Sequence, residues 1–294
     1  MRDFFGFKEH LKNEKQFSSH TIQAYINDLS SLKSHIDDNY DDLELNEIDH
    51  YQVRSWIADL SAQGLMHKSI NRKLSTLKTF YKYLIKIGEI DYSPMQKLKS
   101  LKTPKNISTP FSESEIIAAM ESLEATDFVS SRNKLIIELL YATGMRRAEL
   151  ISIQTKDVDL YQKQIKITGK RNKQRIIPLY GSICHRIEDY LKHKNESNLV
   201  NKALFVTEKD NTLYPSLIYK IVNSLFSRFS NKSKTSPHIL RHTFATHLLN
   251  KGASLNAIKE LLGHESLSST EIYTQNSIEQ LKQSYHKNHP REAE

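Results

Sequence analysis

Apolar residues return every three or four positions through most of this chain, a rhythm that buries side chains only if the backbone is α-helical. After Ser18 and Ser19, a plausible cap, Ile22, Tyr25, Ile26, Leu29, Leu32 and Ile36 follow at that spacing. A second stretch carries Val53, Trp56, Ile57 and Leu60 and stops before Gly64, and a third runs from about Ser69 to Ile87 with Ile70, Leu74, Leu77, Tyr81 and Leu84 on one face. On the opposite face, at 100° per residue, fall Lys68, Arg72, Ser75, Thr79, Lys82 and Lys86. That stripe holds four cations and no acid.

The segment after these helices, LKSLKTPKNISTPF at 98–111, has prolines, small polar residues and little periodicity, so it reads as a linker between 1–97 and 112–294. Ser112 and Glu115 then form a capping box. An apolar helix over 132–143 ends at Gly144, and helices are expected at 215–229, 237–250, 254–262 and 277–287. QIKITGKRNKQRIIPL alternates apolar and polar residues on both sides of GKRNKQ, which predicts a β-hairpin with a basic turn. The fold class expected is mainly α with a small β element, in two domains.

Charge is unevenly spread. The chain has 42 Lys and Arg against 34 Asp and Glu, and residues 1–100 are balanced, so 101–294 carries the whole net charge of +8. Within the first hundred residues the acids cluster at Asp37, Asp38, Asp41, Asp42, Glu44, Glu47 and Asp49, away from the cations, which suggests one phosphate-facing side. One cysteine, Cys184, excludes an internal disulfide framework and a Cys-rich zinc site. MRDFFGFKEH has no signal-like apolar run, and no stretch approaches a membrane span, so no membrane partner is expected and the cytoplasm is the expected compartment.

Four segments carry the chemistry: ATGMRRAEL with Arg146, TGKRNKQR with Lys170, PHILRHTFATHLL with His238 and Arg241, and LLGHESLSSTEIYT with His264 and Tyr273. Taken singly, each has an ordinary reading as a cap, a solvated turn or a helix-end cation. His238, His242 and His247 share a predicted helix, but no glutamate sits between them as in HExxH, and Arg241 would set a permanent charge beside any metal. No metal is expected. Among the fourteen tyrosines, Tyr25, Tyr81 and Tyr141 fall in apolar positions that packing explains, and Tyr285 lies in the tail.

Taken together and in this order, these motifs resemble the tyrosine recombinases, or phage integrase family, and within it the Xer recombinases that resolve chromosome dimers. AYINDL and INRKLSTLKTFYKYL extend the resemblance into the first domain. It implies a helical core-binding domain and a mixed catalytic domain that together clamp double-stranded DNA, with the stripe Lys68, Arg72, Lys82 and Lys86 on phosphates. It further implies a reversible strand transfer: Tyr273 attacks the scissile phosphate, Arg146 and Arg241 hold its non-bridging oxygens, and His238 takes the phenolic proton. Lys170 would protonate the leaving 5′-oxygen, His264 would bond a phosphate oxygen, and Glu149 would buttress Arg146. No cofactor, ATP or metal enters that chemistry.

The turn departs from the usual Xer form, with Arg171 where glycine is common, which leaves Lys173 as the alternative to Lys170. The resemblance implies a tetramer on two DNA sites, of this chain alone or with a paired recombinase, the tail around Leu281 docking on a neighbour. It admits a DNA translocase as regulator. An integrase or invertase of a phage or mobile element would share these residues, although no extra arm-binding domain precedes 1–100; a DNA-binding protein without catalysis would have no use for the full set.

Overall fold

A computed structural model describes residues 4–104, 109–169, 173–232 and 235–263. Lys170, His264, Tyr273, Leu281, Tyr285 and the helix expected at 277–287 lie outside the described residues. The chain divides into two units, Met1–Asn106 and Ile107–Glu294.

In the first unit, helices α2 (Ser19–Asn39), α3 (His50–Ala62) and α4 (His67–Lys86) pack around Trp56, Leu29, Leu77 and Tyr81. Ser18 caps α2 by accepting from the Thr21 amide, and Asp49 and Gln52 cap α3 reciprocally. The periodicity also predicted what the tyrosines do: Tyr81 is buried and donates to the Leu45 carbonyl at 2.9 Å, and Tyr25 packs edge-on against Phe17. Helix α1 (Phe5–Glu9) and a π-helical turn (His10–Glu14) precede α2 and were not foreseen. They are too short to show a period, yet Phe7 and Leu11 are fully buried.

Asp28 of α2 is only 2% exposed, inside this helical unit. A buried carboxylate is tolerated only when its lone pairs are filled. Arg72 donates to both oxygens at 2.7 and 2.6 Å, Thr76 adds a bond at 2.8 Å and Lys73 one at 3.2 Å. The expected cation stripe is therefore not uniform. All four cations are exposed, but Arg72 is paired with Asp28 and Lys86 with Glu14. Ser75 and Thr79 bond back to the carbonyls of Asn71 and Ser75. The acidic run is also put to local use, with Lys33 pairing Asp37 and Glu44.

Between the units, the segment read as a linker is anchored at both ends. Leu98 is buried in the first core, and Asn71 bonds the amide and carbonyl of Leu101, each at 2.8 Å. Phe111 is buried in the second core, stacked on Phe226 at 4.3 Å.

The second unit is built on α6 (Phe128–Thr143), an apolar helix buried on nearly every side, which therefore sits at the centre of the core. Around it lie α5 (Glu113–Glu121), capped by the Ser112–Glu115 box, the short α7 (Arg147–Ser152), and the later helices α8 (Gly181–Glu196), α9 (Pro215–Phe226), α10 (Pro237–Asn250) and α11 (Leu255–Leu262). Helix α8 was not anticipated: its apolar Ile183, Cys184, Ile187 and Tyr190 are scattered among charged residues. The hairpin forms as expected from β2 (Gln164–Thr168) and β3 (Gln174–Pro178), and β1 (Val158–Asp159) adds a two-residue antiparallel edge. Among the described residues, no helix is long and apolar enough to cross a membrane.

Gly144 ends α6 at φ 58° in the left-handed region, where a side chain is strained. A Cβ there would lie 2.4 Å from Phe244 and 2.8 Å from Leu262. Gly144→Ala should thus destabilise the second unit by roughly 2–4 kcal/mol, read as a fall in the urea midpoint of its unfolding transition; an unchanged midpoint would contradict this packing.

Candidate active site

The left-handed turn at Gly144 redirects the chain so that Met145 enters the core and Arg146, in extended conformation, caps α7. Glu149 sits at the third position of that helix and reaches back. Its Oε2 accepts the Arg146 amide at 2.7 Å and its Oε1 accepts Nη1 of the Arg146 side chain at 2.9 Å. A second guanidinium arrives from β3. Arg175 donates Nη1 to Oε1 at 3.0 Å and Nη2 to Oε2 at 2.8 Å, and its Nε donates to the Leu261 carbonyl at 2.8 Å.

Glu149 and Arg175 are 5% and 6% exposed, while the Arg146 side chain remains 45% exposed. Burial alone would push the Glu149 carboxyl up, but the hydrogen bonds from Arg175 and from the Arg146 amide outweigh it and hold the group below the ordinary carboxylate range. Glu149 is thus an anion at neutral pH, and it orients Arg146 while leaving nearly half of that side chain exposed.

Arg241 comes from α10, which opens with Ser236 and Pro237 at its N-terminus. It is 7% exposed, with Nη1 on the Gly144 carbonyl at 2.7 Å and Nη2 on the Leu262 carbonyl at 2.8 Å. Burial, helped by the neighbouring charges of Arg146 and Arg175, lowers it to about 10, against the pull of Glu149. It stays charged at neutral pH. Arg175 and Arg241 thus hold the last two carbonyls of α11, where the helix dipole is negative. His238 lies one helical turn before Arg241 and is exposed.

Of the residues expected to carry chemistry, the structure brings Arg146, Glu149 and Arg241 into one cluster, with His238 on the same helix as Arg241. Lys170, His264 and Tyr273 are not described, but the glycines before the first two are. A Cβ on Gly169 would lie 3.4 Å from Glu149 Oε1, and one on Gly263 would lie 3.3 Å from Arg175. The alternative lysine, Lys173, is exposed, and its carbonyl accepts the Gly169 amide at 2.7 Å. His247 points the other way from the exposed His238 and His242: its two ring nitrogens meet the Tyr141 hydroxyl and the Phe111 carbonyl, both at 2.9 Å. Among the described residues, no three His, Cys, Asp or Glu side chains gather as a metal site.

Two guanidiniums that keep free donors, Arg146 and Arg241, gathered beside a fixed anion make a site for another, larger anion. Residues 99–280 match the family described as Phage integrase family, and residues 5–88 match Phage integrase, N-terminal SAM-like domain. Over 288 residues the chain is 37% identical to tyrosine recombinase XerC of Staphylococcus aureus, covering 97% of this chain and 96% of that protein. This chain is an Xer-type tyrosine recombinase of the phage integrase family. Two solved structures share the fold. XerH bound to a palindromic difH substrate, in a post-cleavage complex, has a TM-score of 0.68 at 24% identity over 90% of this chain and 79% of that one. A lambda integrase dimer bound to a COC′ core site has a TM-score of 0.69 at 17% identity over 92% and 98%.

For a site-specific recombinase, the residue that sequence reading passed over is Arg175. The signal was present: period-two alternation sets Arg175 on the inward face with Ile177, opposite Ile167. An arginine at an inward strand position needs a buried anion, and Glu149 is that anion.

Burial also keeps His247 neutral by pushing its pKa below the ordinary 6.5. The unfolded chain therefore takes up the proton first as pH falls through about 6.5, and stability falls with it. The melting temperature should decline between about pH 6.5 and 5, and His247→Gln should flatten part of that slope; an unaltered slope in the variant would show that His247 is not held neutral.

Proposed function

We propose that this recombinase cuts and rejoins duplex DNA at a specific site through a covalent bond between Tyr273 and a 3′-phosphate. The phenol gives its proton to His238 and its oxygen attacks phosphorus. The bond to the 5′-oxygen breaks, and that oxygen leaves with a proton from Lys170. A second 5′-hydroxyl reverses the step, so no bond energy is lost to water. His264 bonds a phosphate oxygen, and Arg146 and Arg241 donate to the non-bridging oxygens that gather charge in the transition state.

The observation that supports this reading best is the arrangement of the two arginines. Arg146 and Arg241 are oriented by Glu149, Gly144 and Leu262, yet each keeps donors for a phosphate: a guanidinium has five N–H groups, and Arg241 uses Nη1 and Nη2 once each. Identity of 37% to XerC along nearly the whole chain favours chromosome dimer resolution, in the cytoplasm, over a mobile-element role. The two units would clamp the duplex. All four cations of the stripe are exposed and suit phosphate contacts, with Arg72 also paired to Asp28 and Lys86 to Glu14. We further assign the active form to a tetramer on two sites, of one chain or of two paired recombinases, with a DNA translocase as its regulator.

The test is to recover DNA covalently joined to the protein from cells, sequence it, and rebuild it as a nicked suicide substrate. Wild type should give a denaturation-resistant adduct and Tyr273→Phe none, while Arg241→Lys should slow adduct formation roughly 10²–10³-fold, because a point charge lacks the fork. An adduct that persists in Tyr273→Phe would overturn the mechanism.

A further inference from the structure

We infer that Arg175 is a positioning residue of strand transfer: it fixes Glu149, and through Glu149 the phosphate-facing Arg146, while pinning the end of α11 beside them. The inference rests on the function proposed above. Arg175 is 6% exposed and has bonds from Nε, Nη1 and Nη2 to protein acceptors, so it acts through its neighbours and does not grip a phosphate itself.

Arg175 joins three separate elements, its own strand and those of its two partners. Glu149 is on α7, Leu261 ends α11, and Arg175 is on β3 in register with Ile167 of β2. Two residues beyond Ile167, Gly169 closes on the Lys173 carbonyl at 2.7 Å and lies against Glu149 and Arg175. One planar cation thus sets the base of the Lys170 turn, the carboxylate behind Arg146 and the last turn before His264 in fixed relation.

Stability alone does not require this. A well-packed apolar side chain generally serves a core as well as a buried ion pair does. Orientation does require it. Oε1 of Glu149 accepts from both Arg146 and Arg175, so the carboxylate plane that Arg175 fixes with its two parallel bonds is the plane from which Arg146 takes its direction. Without the fork, the carboxylate would be free to rotate toward Arg146 and draw it from the phosphate.

The experiment measures single-turnover adduct formation on the suicide substrate, DNA affinity by fluorescence anisotropy, and melting temperature. The proteins are wild type, Arg175→Gln, Arg175→Lys, Arg146→Lys and the Arg146→Lys/Arg175→Gln pair. Arg175→Gln should bind DNA within about twofold of wild type and form adduct about 10²-fold more slowly, the scale of a misplaced catalytic group. Arg175→Lys keeps the charge without the fork, should melt near wild type, and should be slowed about tenfold. It carries the test if Arg175→Gln does not fold.

The double variant decides the route. If Arg175 acts through Arg146, its loss should cost less than about threefold once Arg146 is already lysine. An equal cost in both backgrounds would mean a structural role only, and adduct rates within twofold of wild type for both Arg175 variants would also overturn the inference. Absence of an adduct in wild type would instead overturn the proposed strand transfer, and this inference with it.

Discussion

One carboxylate organises the catalytic unit. Glu149 lies where α7, β3 and the end of α11 meet, and it is ionised only because Arg175 and Arg146 compensate for its removal from water. Neutralise it, and three arginines, two of them buried, would stand together without an anion among them: the charges of Arg146 and Arg175 already weigh on Arg241 with Glu149 present. The arginines are thus held close together by one anion, and in the proposed reaction the substrate phosphate would meet donors whose orientation was settled on folding. Preorganisation of this kind lowers the cost of rearranging dipoles during the reaction.

The backbone contributes as much as the side chains. Gly144 stops α6, gives its carbonyl to Arg241 and lets Phe244 and Leu262 close over the turn. The carbonyls of Leu261 and Leu262 would be orphans at a helix end, and the two guanidiniums supply both their hydrogen bonds and an opposing charge for the helix dipole. Fold and site are therefore made by the same contacts.

Much of this was legible in the sequence where a local rule was strong. Pro237 at a helix start, Gly144 and Gly263 at helix ends and the Ser112–Glu115 box mark boundaries through backbone chemistry that needs no tertiary context. Arg146, Glu149 and Arg241, which the structure gathers in one cluster, could be singled out because spacing and resemblance agreed. What escaped was decided by contacts distant in sequence. The helix at 181–196 reads as charged until Phe128 and Phe205 are seen against Tyr190. Arg175 looks like one more cation in a basic turn until its strand face is known. Arg72 reads as an unpaired cation because its partner, Asp28, lies 44 residues earlier on another helix.

The pairing of Arg72 with Asp28, and of Lys86 with Glu14, bears on how the N-terminal unit would respond to salt. Each phosphate neutralised by a protein cation releases condensed counterions, and affinity falls with a log–log slope of about 0.9 per contact. On a phosphate backbone, a face whose Arg72 and Lys86 are already paired with Asp28 and Glu14 would contribute less of that slope than its four cations suggest. The acids that hold this unit together would then also moderate how strongly ionic strength governs its grip on a polyanion.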